Sequence, residues 1–145
     1  MRTLGIDPSL RQLDLRAGVV DGECLLRPGS VAGRAGASAD DIRRLPAPES
    51  ATILSLCFAT GSGPEVSCAS PHLIEYVGPW LDEAQETAEE ACDDAARRYT
   101  NRTFDSPTEK LEVVILTAPG QYRCAVEAPR QLSSSLWQIG GAPIR

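Results

Sequence analysis

Lysine is almost missing from this 145-residue chain: Lys110 is the only one, and every other basic side chain is arginine. With a formal charge of −6 there is no clustered basic surface for phosphates, which argues against a large nucleic-acid-binding face. The arginine bias reads as a GC-rich coding sequence rather than as chemistry. Histidine is as scarce. His72 stands alone, so any Ser-His-Asp or Cys-His mechanism must use it, and no G-x-S-x-G elbow accompanies it. It reads as a structural or solvent-facing side chain. Aromatics make up 5%, which predicts a thin core of small residues. No C-x-x-C pair exists among Cys24, Cys57, Cys68, Cys92 and Cys124. That odd, scattered set argues against a disulfide framework and against zinc, and favours small buried thiols in a reducing compartment. No window approaches the ~18 apolar residues of a membrane span. MRTLGIDPSLR lacks the apolar stretch of a secretory signal. A soluble protein made in the cytoplasm is expected.

What is present is an ordinary globular balance, 42% hydrophobic and 23% charged, in a length that suits one compact domain. Residues 1–70 read as a β-rich, irregular subregion. LRAGVV-DG-ECLLR predicts a hairpin, because Asp21-Gly22 supplies the positive φ angles of a type I′ turn. PGSVAGRAGA reads as loop, and Ser38 with Asp41 resembles a capping box opening a short helix to Arg44. ATILSLCFA (51–59) predicts a buried strand, GSGP (61–64) a turn, and EVSCA a return strand. GSGP lacks the lysine and the following helix of a phosphate loop. In residues 71–145, PHLIEYV reads as a short turn. KLEVVILTA (110–118) and QYRCAVEA (121–128) read as strands around Pro119-Gly120, the second half-exposed, and SSSLWQIGG as a last short strand.

Residues 79–104, PWLDEAQETAEEACDDAARRYTNRTF, predict one dominant amphipathic helix over about 79–100. Trp80, Leu81, Ala84, Ala88, Ala91, Cys92, Ala95 and Tyr99 recur at helical spacing, and Pro79 suits the first helical position. Acids lead and Arg97 and Arg98 close, in the sense of the helix dipole. Asp93 with Arg97, and Asp94 with Arg98, are spaced to pair. The fold class expected is α+β, this helix flanked on either side by β-hairpins. Trp80, Leu81, Tyr99 and Phe104 are the expected core, and Asp82, Glu86, Glu89 and Asp93 an exposed acidic face. Carboxylates that line one helix face form a solvated wall rather than a metal site, which needs ligands from several elements.

Two stretches resemble known families. LGIDPSLR is similar to the first strand of the RuvC-like Holliday-junction nucleases, and LIEYVGPW to their second acidic motif. That resemblance implies Asp7 and Glu75 as ligands of a divalent metal for phosphodiester hydrolysis. The chain departs from it where QLDLRAG replaces the expected turn, and where residues 107–145 read as strands rather than a late acidic helix. AARRYTNRTF resembles the helix end of the head–tail connector (adaptor) proteins of long-tailed bacteriophages, with Tyr99, Thr100, Arg102 and Phe104 at the matching positions. EAPRQLSSSLWQIGGAPI follows the β pattern and glycine turn that come next in that family. This second resemblance covers about residues 71–145 and leads the functional reading.

It implies a non-enzymatic virion protein of the neck, made in the bacterial host cytoplasm, with no cofactor. The subunit would form a ring, a dodecamer matching the portal, between the portal protein and a downstream tail or stopper protein. DNA would pass through without sequence-specific binding, along an acidic wall formed by Asp82, Glu86, Glu89 and Asp93. Arg102, Trp137 and Ile139 are further interface candidates, the last two on a docking strand that adds to a neighbouring sheet edge. The other expectations are the nuclease and a small α+β interaction module.

Overall fold

The structure, a computed structural model, describes residues 15–28, 37–38, 55–61, 63–82, 88–104 and 110–145. Asp7 and Glu86 lie outside them. The fold is mostly β: nine strands stand against one 13-residue helix among the described residues. The expected α+β class with a dominant helix is therefore corrected.

The hairpin forms as the sequence dictates. β1 (Leu15–Val20) and β2 (Glu23–Pro28) pair antiparallel around Asp21 (φ 50°) and Gly22 (φ 81°), both in the left-handed region that a type I′ turn needs. β3 (Ala37–Ser38) adds to β2, with Ser38 opposite Leu25; the helix expected beyond Ser38 lies outside the described residues.

The second sheet has six strands: β4 (Leu56–Phe58), β5 (Glu65–Ser67), β6 (His72–Tyr76), β7 (Leu81–Asp82), β8 (Glu112–Ala118) and β9 (Gln121–Leu132). It runs across residue 70 and so draws on both halves of the chain. β9 is its spine. β8 covers one edge of β9 from Gln121 to Glu127, through a tight turn at Pro119-Gly120 where Gly120 has φ 72°. β6 and then β7 cover the other edge, since Ile74, Glu75 and Tyr76 face Glu127, Val126 and Ala125, and Leu81 and Asp82 face Tyr122 and Gln121. Covered on both edges and both faces, β9 is buried from Tyr122 to Val126 rather than half-exposed.

β7 explains the helix that did not form at 79–82. The backbone of Tyr122 and Gln121 would otherwise present unpaired donors and acceptors, and Leu81 and Asp82 satisfy them. Trp80 and Leu81 are consequently 37% and 38% exposed instead of core. PHLIEYV is likewise strand β6 rather than a turn. The helix α1 spans Ala88–Thr100, with Glu89 and Glu90 in its first turn and Arg97 and Arg98 in its last. Asp94 and Arg98 pair at 3.0 Å on its solvent side. No helix among the described residues is long and apolar enough to cross a membrane.

Alternation along β9 sorts two cores. Tyr122, Cys124, Val126 and Ala128 face α1 and pack with Cys92, Ala96, Tyr99, Leu132, Leu136, Trp137 and Ile144. Ala125 faces the opposite side with Leu56, Ile74 and Tyr76. On that second side Arg123 lies 3.7 Å over the Tyr76 ring and donates Nε–H to Gly78 O at 2.7 Å. Burial and the nearby Glu65 carboxylate push the Tyr76 hydroxyl pKa far up, so it stays protonated as a donor. Cys92 and Cys124 are joined by a disulfide that ties α1 to β9, and Cys57 and Cys68 by one between β4 and the segment after β5. The expected unpaired buried thiols are therefore corrected; Cys24 alone is free, and it is exposed.

Candidate functional site

Where α1 ends, its YTNRTF terminus grips the end of the chain. Thr100 Oγ1 donates to Ala96 O at 2.8 Å, finishing the last turn, and Asn101 takes the left-handed conformation (φ 52°) that stops the helix. The carbonyls left over at that end receive the C-terminal segment. Gln138 N–H donates to Tyr99 O at 2.7 Å and Gly140 N–H to Thr100 O at 2.9 Å. In return Arg102 reaches across, Nε–H to Gly140 O at 2.7 Å and Nη2–H to Ala142 O at 2.5 Å. Gly140 (φ 55°) lets the backbone turn here beside Asn101. Phe104 is half-buried against the main core.

This clamp relocates three interface candidates. Trp137 is buried in the chain's own core, Ile139 packs against that core, and residues 133–141 form turns rather than a docking strand. Arg102 is spent on the strap. Replacing it by alanine is expected to lower stability by about 2 kcal/mol, the scale of charged hydrogen bonds in a half-buried setting. Hydrogen exchange over residues 136–145 checks this: the Gln138 and Gly140 amides should open faster than in the parent protein.

Beneath the clamp lies a buried polar cluster. Cys57 on β4 sits directly opposite Glu75 on β6, and directly opposed residues share one face of a sheet. Glu75 in turn faces Val126, so that face is the one covered by α1. His72, three residues from Glu75, would point to the opposite face of a regular strand. The register shift between His72 and Ile74 turns it to the same side, and its Nε2 lies 3.7 Å from Glu75 Oε2. Cys68 completes the group through its bond to Cys57 and its N–H to Ser55 O at 3.2 Å. One ligand-type atom from each of Cys57, Cys68, His72 and Glu75 falls within 4.8 Å of the others, and all four residues are buried.

Glu75 is fully enclosed and well satisfied. Oε1 accepts from Tyr99 OH at 2.5 Å and from the Ser135 hydroxyl; Oε2 accepts from Leu136 N–H at 2.8 Å. Ser55 Oγ extends the network to Tyr99 OH at 2.7 Å. Burial first, and the Glu75 charge second, hold the Tyr99 pKa well above its ordinary value, so the phenol is a fixed donor. His72 is different. Nδ1 lies 2.8 Å from Ser70 O and serves as the donor there, whereas Nε2, though wholly buried, has no hydrogen-bond partner among the described residues.

The remaining expected residues fall elsewhere. Glu89 and Asp93 are exposed on α1 beside Glu90 and Asp94, and Asp82 is exposed on β7. Thus, among the described residues, Glu75 alone of the acids singled out from the sequence enters the buried cluster, and Asp82, Glu89 and Asp93 remain as a solvent-facing set. Sequence reasoning missed Cys57, Cys68 and His72 as partners. The Cys68-x₃-His72 spacing was the available signal, but Cys57 joins it only through strand pairing. No protein-family model, curated protein or solved structure matches the chain.

Proposed function

We propose that the chain is a non-enzymatic virion structural protein, a head–tail connector subunit that forms a ring between portal and tail around the DNA path. The observation that carries this reading is the clamp. Tyr99, Thr100 and Arg102, the positions that resemble the connector family, act together to tie the helix end to the glycine turn that follows in the same pattern. The exposed acids of α1 support it, because negative walls avoid tight phosphate binding and let DNA slide. Trp80 and Leu81, exposed beside a cavity of about 280 Å³ lined by Val77, Pro79 and Ala95, offer apolar surface for a neighbouring subunit. Glu75 fits the rival nuclease poorly, since a metal that meets a phosphodiester must face solvent and this carboxylate is 0% exposed.

Native mass spectrometry of the chain with the portal protein of the same genome tests the proposal. A stoichiometric ring-on-ring complex is expected, and its loss with Trp80→Asp and Leu81→Asp. Failure to bind portal, together with magnesium-dependent cleavage of branched DNA that Asp7→Asn abolishes, would replace the connector by the nuclease.

A further inference from the structure

We infer that, with the Cys57–Cys68 bond reduced, Cys57, Cys68, His72 and Glu75 form a structural site for one Zn²⁺. The inference stands apart from the connector reading and rests on the cluster alone. Its donor set is that of zinc: two soft sulfurs, an imidazole and a carboxylate, the types that favour a closed four-coordinate site. The donors come from three places in the fold, β4, the turn after β5, and β6, which is what fixes a tetrahedron rather than a chelating loop.

Four features go beyond the grouping itself. His72 Nδ1–H is held by Ser70 O at 2.8 Å, which selects the tautomer whose lone pair sits on Nε2. That Nε2 is buried and has no hydrogen-bond partner among the described residues, an arrangement that is costly away from water unless another group takes the lone pair. Its 3.7 Å separation from Glu75 Oε2 is close to the ~3.4 Å edge of a tetrahedron with metal–ligand distances near 2.1 Å. Glu75 is already oriented by Tyr99, Ser135 and Leu136, so a ligand oxygen has its supporting partners in place. The second pair, Cys92–Cys124, lies among Ala96, Tyr99 and Val126 and belongs to no such group of ligands among the described residues. It serves as the internal contrast.

The chemistry balances simply. A cellular dithiol reduces the Cys57–Cys68 bond, becoming a disulfide itself and leaving two thiols. Zn²⁺ then displaces the two thiol protons to solvent as the thiolates bind. Cytoplasmic redox poise favours the dithiol, and so the metal; an oxidising medium favours the disulfide and an empty site.

The test uses the full chain, reduced with a phosphine, freed of metal and titrated with Zn²⁺ and, separately, Co²⁺. The expected result is one metal per chain, with Co²⁺ giving intense tetrahedral bands and thiolate charge transfer. The same chain left oxidised should give neither. His72→Asn and Cys68→Ser should each weaken Zn²⁺ binding by about 100-fold or more, while Cys24→Ser leaves it unchanged. Circular dichroism establishes that each variant is folded. Should one fail to fold, the Co²⁺ spectrum of the reduced parent chain decides: octahedral or absent bands overturn the inference. So does binding that survives His72→Asn, or that depends on Cys24.

Discussion

Replacing Cys92 and Cys124 together by serine is expected to lower stability by about 3.7 kcal/mol under oxidising conditions, the loop-closure value for the 32-residue separation they span. For a domain of this size that corresponds to about 10 °C in thermal midpoint. The effect is large because of where the bond lies. It joins the first half of α1 to the first half of β9, where the helix offers mainly small residues, Ala88, Ala95 and Ala96, and the larger Tyr99 packs only at the helix end. Alanines bury little area each, at about 25 cal/mol per Å², so this interface has little to replace a lost covalent tie. The hydroxyls would also be buried among apolar groups. Differential scanning calorimetry with and without reductant checks the prediction: the parent chain should fall toward the double variant when reduced, and the variant should not respond to reductant through this pair.

The same pair shows how far the sequence could be read. Odd number, wide spacing and no C-x-x-C motif argued for free thiols, and each of those observations is local. Cys92 and Cys124 meet because α1 crosses β9, a proximity with no counterpart in spacing; Cys57 and Cys68 meet because β4 and β5 form a hairpin, so the strand–turn–strand pattern at 51–69 held that pairing although the cysteine count argued against it. Local signals fared better. Asp21-Gly22, Pro119-Gly120 and the Asp94–Arg98 pair are decided within a few residues by backbone sterics and helix geometry, and all three stand in the structure as expected. The helix start failed for the opposite reason. Pro79, Trp80 and Leu81 fit a helix by period, but β9 needed an edge partner at Tyr122 and Gln121, and the sheet's hydrogen bonds outweighed local propensity. His72 was legible as singular but not as buried, since a register shift within β6 decides which face it takes.

Removing the Glu75 side chain is expected to destabilise the fold by about 4 kcal/mol, more than any other single truncation considered. Glu75→Ala leaves three donors, the buried Tyr99 OH and Leu136 N–H and the half-buried Ser135 OH, facing a cavity. The Leu136 N–H is the least forgiving, because a backbone donor cannot rotate toward another acceptor. The amide Glu75→Gln separates this from simple loss of volume. Its carbonyl oxygen can keep Leu136 N–H, and its NH₂ can face hydroxyls that turn to accept. Tyr99 OH would then donate onward to Ser55 Oγ, 2.7 Å away. About 2 kcal/mol is expected for the amide, roughly half the alanine cost, because neutral bonds replace charge-assisted ones. Urea unfolding of both variants gives the comparison, and a Tyr99→Phe background sharpens it. There one donor is already gone, so Glu75→Ala should cost about 1 to 2 kcal/mol less than in the parent chain. Equal costs in the two backgrounds would mean that the Tyr99–Glu75 bond does not hold the helix end to the sheet, and that packing alone seats α1 over the buried cluster.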